Sequence, residues 1–138
     1  MLTSVNKCSY FEISNTNSLQ IENFYYICHM KILVKKTILH YIKKYPIAET
    51  QLLIWYNEFS KYEFNNFNEV KNVYGNASLV NNNRIVFNIK GNDFRLIVSV
   101  NFLQAACYII WFGTHNEYDK INVETIAFDT TILTNKKI

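Results

Sequence analysis

From Lys31 onward the spacing of apolar residues changes period as the chain advances. Ile32, Leu33 and Val34 form a short apolar run that predicts a strand. Ile38, Leu39, Tyr41, Ile42 and Tyr45 then recur at helical spacing with Lys36, His40, Lys43 and Lys44 between them, which predicts an amphipathic helix with a basic outer face. Pro46 disfavours helical backbone for the residue before it and suits the first turn of a new helix, whose apolar stripe is Ala48, Leu52, Trp55, Tyr56 and Phe59. Together these segments predict a helical hairpin. Asn65 to Asn68 interrupt the pattern, Glu69 to Tyr74 predict one further short helical turn, and Gly75 with Asn76 end it.

From Arg84 the period becomes two. Ile85, Phe87 and Ile89 alternate with Arg84, Val86, Asn88 and Lys90, and Phe94, Leu96, Val98 and Val100 alternate with Arg95, Ile97 and Ser99. Gly91 and Asn92 tolerate positive φ and suit the hairpin between the two runs. With the turn centred there, Ile89 faces Phe94, Phe87 faces Leu96 and Ile85 faces Val98, all as core pairs. The same register sets Asn88 opposite Arg95, Arg84 opposite Ser99 and Lys90 opposite Asp93 on the other face. A slip of one residue would bury Arg95 against Phe87 or Ile89, so the alternation in each strand selects this pairing. A third strand is expected over roughly Ala106 to Phe112. Val123 to Ile138 read either as an extra edge strand or as a loose tail.

The ends differ from the middle. Residues 1–29 keep no helical or strand period, and Met30 opens a stretch that looks like a protein start. They are therefore read as an N-terminal extension, upstream of the true start.

Composition narrows the class without changing this layout. With 138 residues, 49% hydrophobic and 18% charged, the chain suits one ordinary domain with a single core. The net charge of +3 permits an anionic partner, and the basic residues gather between Lys31 and Arg95 while Glu117, Asp119, Glu124 and Asp129 lie later. Cys8, Cys28 and Cys107 form no CxxC pair and have no His cluster beside them, so neither a metal site nor a disulfide framework is expected. No apolar run spans a bilayer and no secretory signal opens the chain, so a cytoplasmic protein is expected. Gly-rich phosphate loops, GxSxG and HExxH are missing, which argues against nucleoside triphosphate, serine hydrolase and metalloprotease chemistry.

Two places remain as candidates for chemistry. Arg84, Asn88, Lys90 and Arg95 share one face of a rigid sheet, where fixed cations suit the negative charge that gathers on a phosphodiester in its transition state. The same residues also suit a plain solvated face with Lys90 paired to Asp93. His115 follows the third strand, with Thr114 as a helix N-cap, Glu117 as its capping-box partner and Tyr118 on the same side one turn later. Histidine titrates near neutrality, so His115 suits proton transfer at an RNA 2′-hydroxyl or 5′-oxygen, and Tyr118 suits stacking on a base. Packing at a helix start is the bland alternative for His115.

The run RIVFNIKGNDFRLIVSVNF, Arg84 to Phe102, followed by FGTHNEYDKI, Phe112 to Ile121, resembles the signature of HigB-type toxins of type II toxin–antitoxin systems, a branch of the RelE-like mRNA interferases. MKILVKKTI from Met30 and AETQLLIWYNE, Ala48 to Glu58, look like that family's opening. The likeness divides the chain into the extension 1–29, a toxin domain 30–126 and a C-terminal tail 127–138. It implies an α+β, RelE-like fold with the helical hairpin packed on a small twisted antiparallel sheet. It also implies an endoribonuclease that enters the ribosomal A site and cuts mRNA with neither metal nor cofactor, held in check by a HigA-type helix-turn-helix antitoxin. The matching positions are Asn82, Arg84, Asn88, Lys90, Gly91, Asn92, Arg95, Gly113, Thr114, His115, Tyr118 and Asp119. On this resemblance Arg95 and Lys90 bind the scissile phosphate, His115 is the general acid or base, and Tyr118 orients a base or the hydroxyl. Arg84, Asn88, Asn92, Lys35 and Lys36 contact RNA. The alternative is a non-catalytic module that holds RNA or a protein on the same basic face.

Overall fold

The structure is a computed structural model that describes residues 30–33, 35–81, 83–130 and 132. The N-terminal extension, with Cys8, Cys28 and His29, lies outside the described residues, as do Val34, Asn82, Thr131 and the end of the tail.

Strand β1 (Lys31–Leu33) leads into helix α1 (Lys35–Lys44). Pro46 opens a 3-10 turn, Pro46–Ala48, that runs into α2 (Glu49–Phe59). The proline's fixed φ and missing N–H fit that first turn, as the sequence leads one to expect. Ile38 and Tyr41 of α1 and Leu52, Trp55 and Phe59 of α2 are buried. Leu39 falls outside this stripe at 49% exposure, because Ile38 and Tyr41 already mark the edge that meets the sheet. Helix α3 (Phe67–Val73) starts two residues earlier than the spacing predicts. Asn66 is its N-cap, with its side chain accepting from Glu69 N at 3.0 Å, while Glu69 Oε1 accepts from Asn65 N at 2.7 Å. Two side-chain caps thus satisfy amide groups that the apolar period cannot reveal.

The remaining strands are β2 (Ser78–Leu79), β3 (Arg84–Ile89), β4 (Phe94–Asn101) and β5 (Ala106–Thr114), and the sheet order is β1-β5-β4-β3-β2. The β3–β4 register agrees with the one read from alternation: Ile89 pairs with Phe94, Phe87 with Leu96, Ile85 with Val98, Asn88 with Arg95 and Arg84 with Ser99. The α+β class holds. The antiparallel expectation holds for β2–β3, β3–β4 and β4–β5, while β1 joins β5 in parallel, which makes the sheet mixed. The connection from β1 to β5 passes through three helices and three strands, so no local spacing could give its direction.

One core lies between the helices and one face of the sheet, joining Ile38, Leu52, Trp55 and Phe59 to Ile85, Phe87, Leu96, Val98 and Phe112. Cys107 is buried there, and burial pushes its thiol pKa up, which makes it a packing residue. Phe128 packs against this core and Ile132 lies within it at 4% exposure. Residues 123–130 form no strand, yet these two side chains tie the described part of the tail to the domain.

Candidate active site

The β3–β4 connection is the four-residue turn Lys90–Asp93, closed by Asp93 N donating to Lys90 O at 3.1 Å. Positive φ falls on Lys90 (59°) and Gly91 (64°), so the expectation for Asn92 shifts by two positions. The longer turn explains this, because Asn92 is needed elsewhere. Its Oδ1 accepts from Arg95 Nη2 at 2.9 Å and its carbonyl accepts from Arg95 Nη1 at 3.3 Å, which folds the guanidinium back against the turn. Lys90 Nζ meets Asp93 Oδ2 at 3.3 Å, with side chains 36% and 62% exposed, a pair worth ~0–1 kcal/mol that an anion can outcompete.

Helix α4 (His115–Tyr118) follows β5 directly. The capping box expected of Thr114 and Glu117 is complete: Thr114 Oγ1 accepts from Glu117 N at 3.1 Å, and Glu117 Oε1 accepts from Thr114 N at 3.0 Å. His115 N donates to Asp93 O at 2.9 Å, which seats the helix start on the hairpin turn. The Tyr118 ring lies 5.7 Å from the Arg95 guanidinium carbon and 6.4 Å from the Trp111 ring. Arg95 over Tyr118 is a cation–π contact worth about 0.5–1 kcal/mol at a half-exposed site. His115, Tyr118, Arg95, Asn92 and Lys90 are therefore gathered around one turn.

His115 presents its two nitrogens differently. Nδ1 is buried without a hydrogen-bond partner, and Nε2 points toward Asp119 Oδ2 at 3.9 Å on a side chain that is 45% exposed. With Nδ1 enclosed, Nε2 is the ring nitrogen left for contact with a bound molecule.

Other predicted residues stand apart. Arg84 Nη1 donates to Val123 O at 2.9 Å, so it braces the segment that follows α4. Val86 and Ile97, which share its face, are buried at 4% and 0%, so this face is not simply solvated. Asn88 is half-buried beside Arg95 in the ladder. Lys35 lies at the start of α1 with Nζ 5.5 Å from the Tyr56 ring centroid, and Lys36 is exposed beside it. An open depression of about 730 Å³ adjoins Tyr118 and is also lined by Val80, Lys120, Asn122 and Val123.

Several contacts at the site escaped the sequence reading. Tyr45 Oη donates to Glu117 Oε1 at 2.6 Å across 72 positions of chain. Glu117 was legible only as a capping partner, and Tyr45 only as core. Gly113 pairs with Arg95, and a Cβ there would lie 2.6 Å from the Trp111 ring and 2.7 Å from Glu117 Oε1. Trp111 itself follows a register step in the β4–β5 ladder beside Ile110, a bulge that no alternation announced.

Among the described residues no helix is long and apolar enough to cross a membrane, and no group of three or more His, Cys, Asp or Glu side chains is placed to hold a metal ion. The family described as HigB toxin, RelE-like toxic component of a toxin-antitoxin system, matches residues 48–121. The chain is 33% identical over 94 residues to the mRNA interferase toxin HigB of Escherichia coli strain K12, covering 65% of this chain and 88% of that protein. Identity and coverage are the same for proteins named mRNA interferase HigB from Escherichia coli O157:H7 and Shigella flexneri. The matched span holds the hairpin turn, Arg95, His115 and Tyr118, and the chain belongs to the HigB family of RelE-like toxins.

Proposed function

We propose that the protein is the endoribonuclease of a toxin–antitoxin pair, cutting mRNA on the translating ribosome without a metal ion. It works in the cytoplasm and is neutralised by a HigA-type helix-turn-helix antitoxin. The observation that carries this reading is the meeting of Arg95, Tyr118 and His115 at the hairpin turn, with Lys90 beside them. Support also comes from the names of the relatives, which are mRNA interferases.

The chemistry follows from the parts. One strand of RNA lies over the turn with a phosphate at Arg95 and Lys90, displacing the Asp93 carboxylate from Lys90. A base stacks on Tyr118 at the edge of the open depression. His115 Nε2 takes the proton of the 2′-hydroxyl, whose oxygen bonds to phosphorus as the bond to the 5′-oxygen breaks. That oxygen takes a proton from solvent as it leaves, and a 2′,3′-cyclic phosphate remains. Arg95 stabilises the charge on the non-bridging oxygens, a contribution of about 10²–10³ in rate for one such donor.

Purified protein added to a message, with and without translating ribosomes, tests the reading. Cuts within the translated frame, dependent on ribosomes and unaffected by a transition-metal chelator that spares magnesium, are expected. His115→Ala should lower the rate by about 10²-fold or more. RNA bound but uncut by the wild type would instead make the protein a binding module.

A further inference from the structure

We infer that Tyr45 and Glu117 are positioning residues for RNA cleavage: their hydrogen bond fixes the helical turn that carries His115 and Tyr118. This rests on the function proposed above and adds residues that lie outside its chemistry.

Helix α4 is a single turn, His115–Tyr118, too short to hold its own shape. Glu117 lies between the two side chains that face the RNA, and its Oε1 accepts two hydrogen bonds at once, from Thr114 N at 3.0 Å and from Tyr45 Oη at 2.6 Å. The first bond belongs to the turn itself. The second comes from the end of the helical hairpin and ties the turn to the body of the protein.

Tyr45 is a rigid anchor for that bond. Its ring meets Phe94 edge-on at 5.5 Å and Phe112 at 5.7 Å, and these two rings stack on each other at 5.2 Å and 8°. Phe94 precedes Arg95, and Phe112 precedes Gly113 and Thr114, so one aromatic group registers the helix end, the strand carrying Arg95 and the strand leading to His115. Gly113 leaves room for the Glu117 carboxylate to approach. The protonation states suit the bond. Tyr45 and the Thr114 amide, with Lys44 nearby, hold the Glu117 carboxyl below its usual range, while burial and Glu117 push the Tyr45 hydroxyl up. The pair is ionised acceptor and neutral donor around neutrality, and such charge-assisted bonds are the stronger kind. Misplacing a reacting group by about 1 Å can cost about 10²-fold in rate, so a tether at this point acts on turnover more than on RNA affinity.

The test compares wild-type, Tyr45→Phe, Glu117→Gln and Glu117→Ala toxins in steady-state cleavage of a translated message, with Tm measured for each. Tyr45→Phe keeps the ring and removes only the hydroxyl. It should lower kcat about tenfold, leave KM within about twofold and change Tm by only a few degrees. Glu117→Gln keeps an oxygen that can accept from both donors and should recover much of what Glu117→Ala loses. Adding Tyr45→Phe to Glu117→Ala should cost nothing more. A Tyr45→Phe protein with wild-type kcat overturns the inference, as does one whose lost activity follows a collapse in Tm or a rise in KM alone. If wild-type protein leaves the message intact, the proposed function falls and this inference with it. A cleaving wild type with an unimpaired Tyr45→Phe overturns the positioning role alone.

Discussion

A methyl group at position 113 has no room, since it would meet the Trp111 ring at 2.6 Å and the Glu117 carboxylate at 2.7 Å. Gly113→Ala should therefore push α4 outward, lower stability by about 1–3 kcal/mol in urea denaturation and abolish cleavage, a larger loss of activity than its stability cost explains. His115→Ala should do the reverse, leaving the urea midpoint near wild type because its Nδ1 makes no hydrogen bond to lose, while cleavage fails. At this scale the sequence was informative where an interaction is local. The Thr114–Glu117 capping box follows from a three-residue spacing, and the pairing of Asn88 with Arg95 follows from alternation. It was silent where the partner is distant: nothing near Arg84 announces Val123, and nothing near Tyr45 announces Glu117. The positive φ at Lys90 was missed because Asn92, the better left-handed residue by type, is held by Arg95.

At the scale of elements, the β3–β4 register was legible because Arg84, Asn88 and Arg95 mark the face turned away from the helices, which leaves a single acceptable pairing even though Val86 and Ile97 on that face are buried. Strand β2 was not, since Ser78–Leu79 is too short to show a period, and both residues are exposed on the sheet edge. Strand β1 was recognised, but its parallel pairing with β5 depends on how the whole chain crosses the sheet. The start of α3 depends on Asn66, whose capping bond replaces the apolar signal. Asn66→Ala should cost about 1 kcal/mol in urea denaturation. It should leave cleavage by the remaining folded protein unchanged, because α3 carries none of the proposed RNA contacts.

Taken whole, the molecule is a helical layer that buries one sheet face, with α4 and the residues up to Val123 folding over the other, where Arg95 meets Tyr118 and Arg84 meets Val123. The Tyr45–Glu117 bond joins the two sides and sets a pH dependence. The Glu117 carboxyl is held below its usual value of 4.5, first by Tyr45 and then by the Thr114 amide. A depressed folded-state value means stability present above 4.5 and lost as pH falls below it toward that lowered value. Melting curves from neutral pH down through this range should show wild type losing more stability than Glu117→Gln, with the gap between them narrowing. The decisive question is whether the junction of turn and helix cuts messages. Mapping mRNA 5′ ends in cells after induction of wild-type and Arg95→Ala proteins at equal soluble levels answers it. New ends within translated frames that disappear with Arg95→Ala are predicted; no new ends with wild type, or the same ends with Arg95→Ala, would contradict the account.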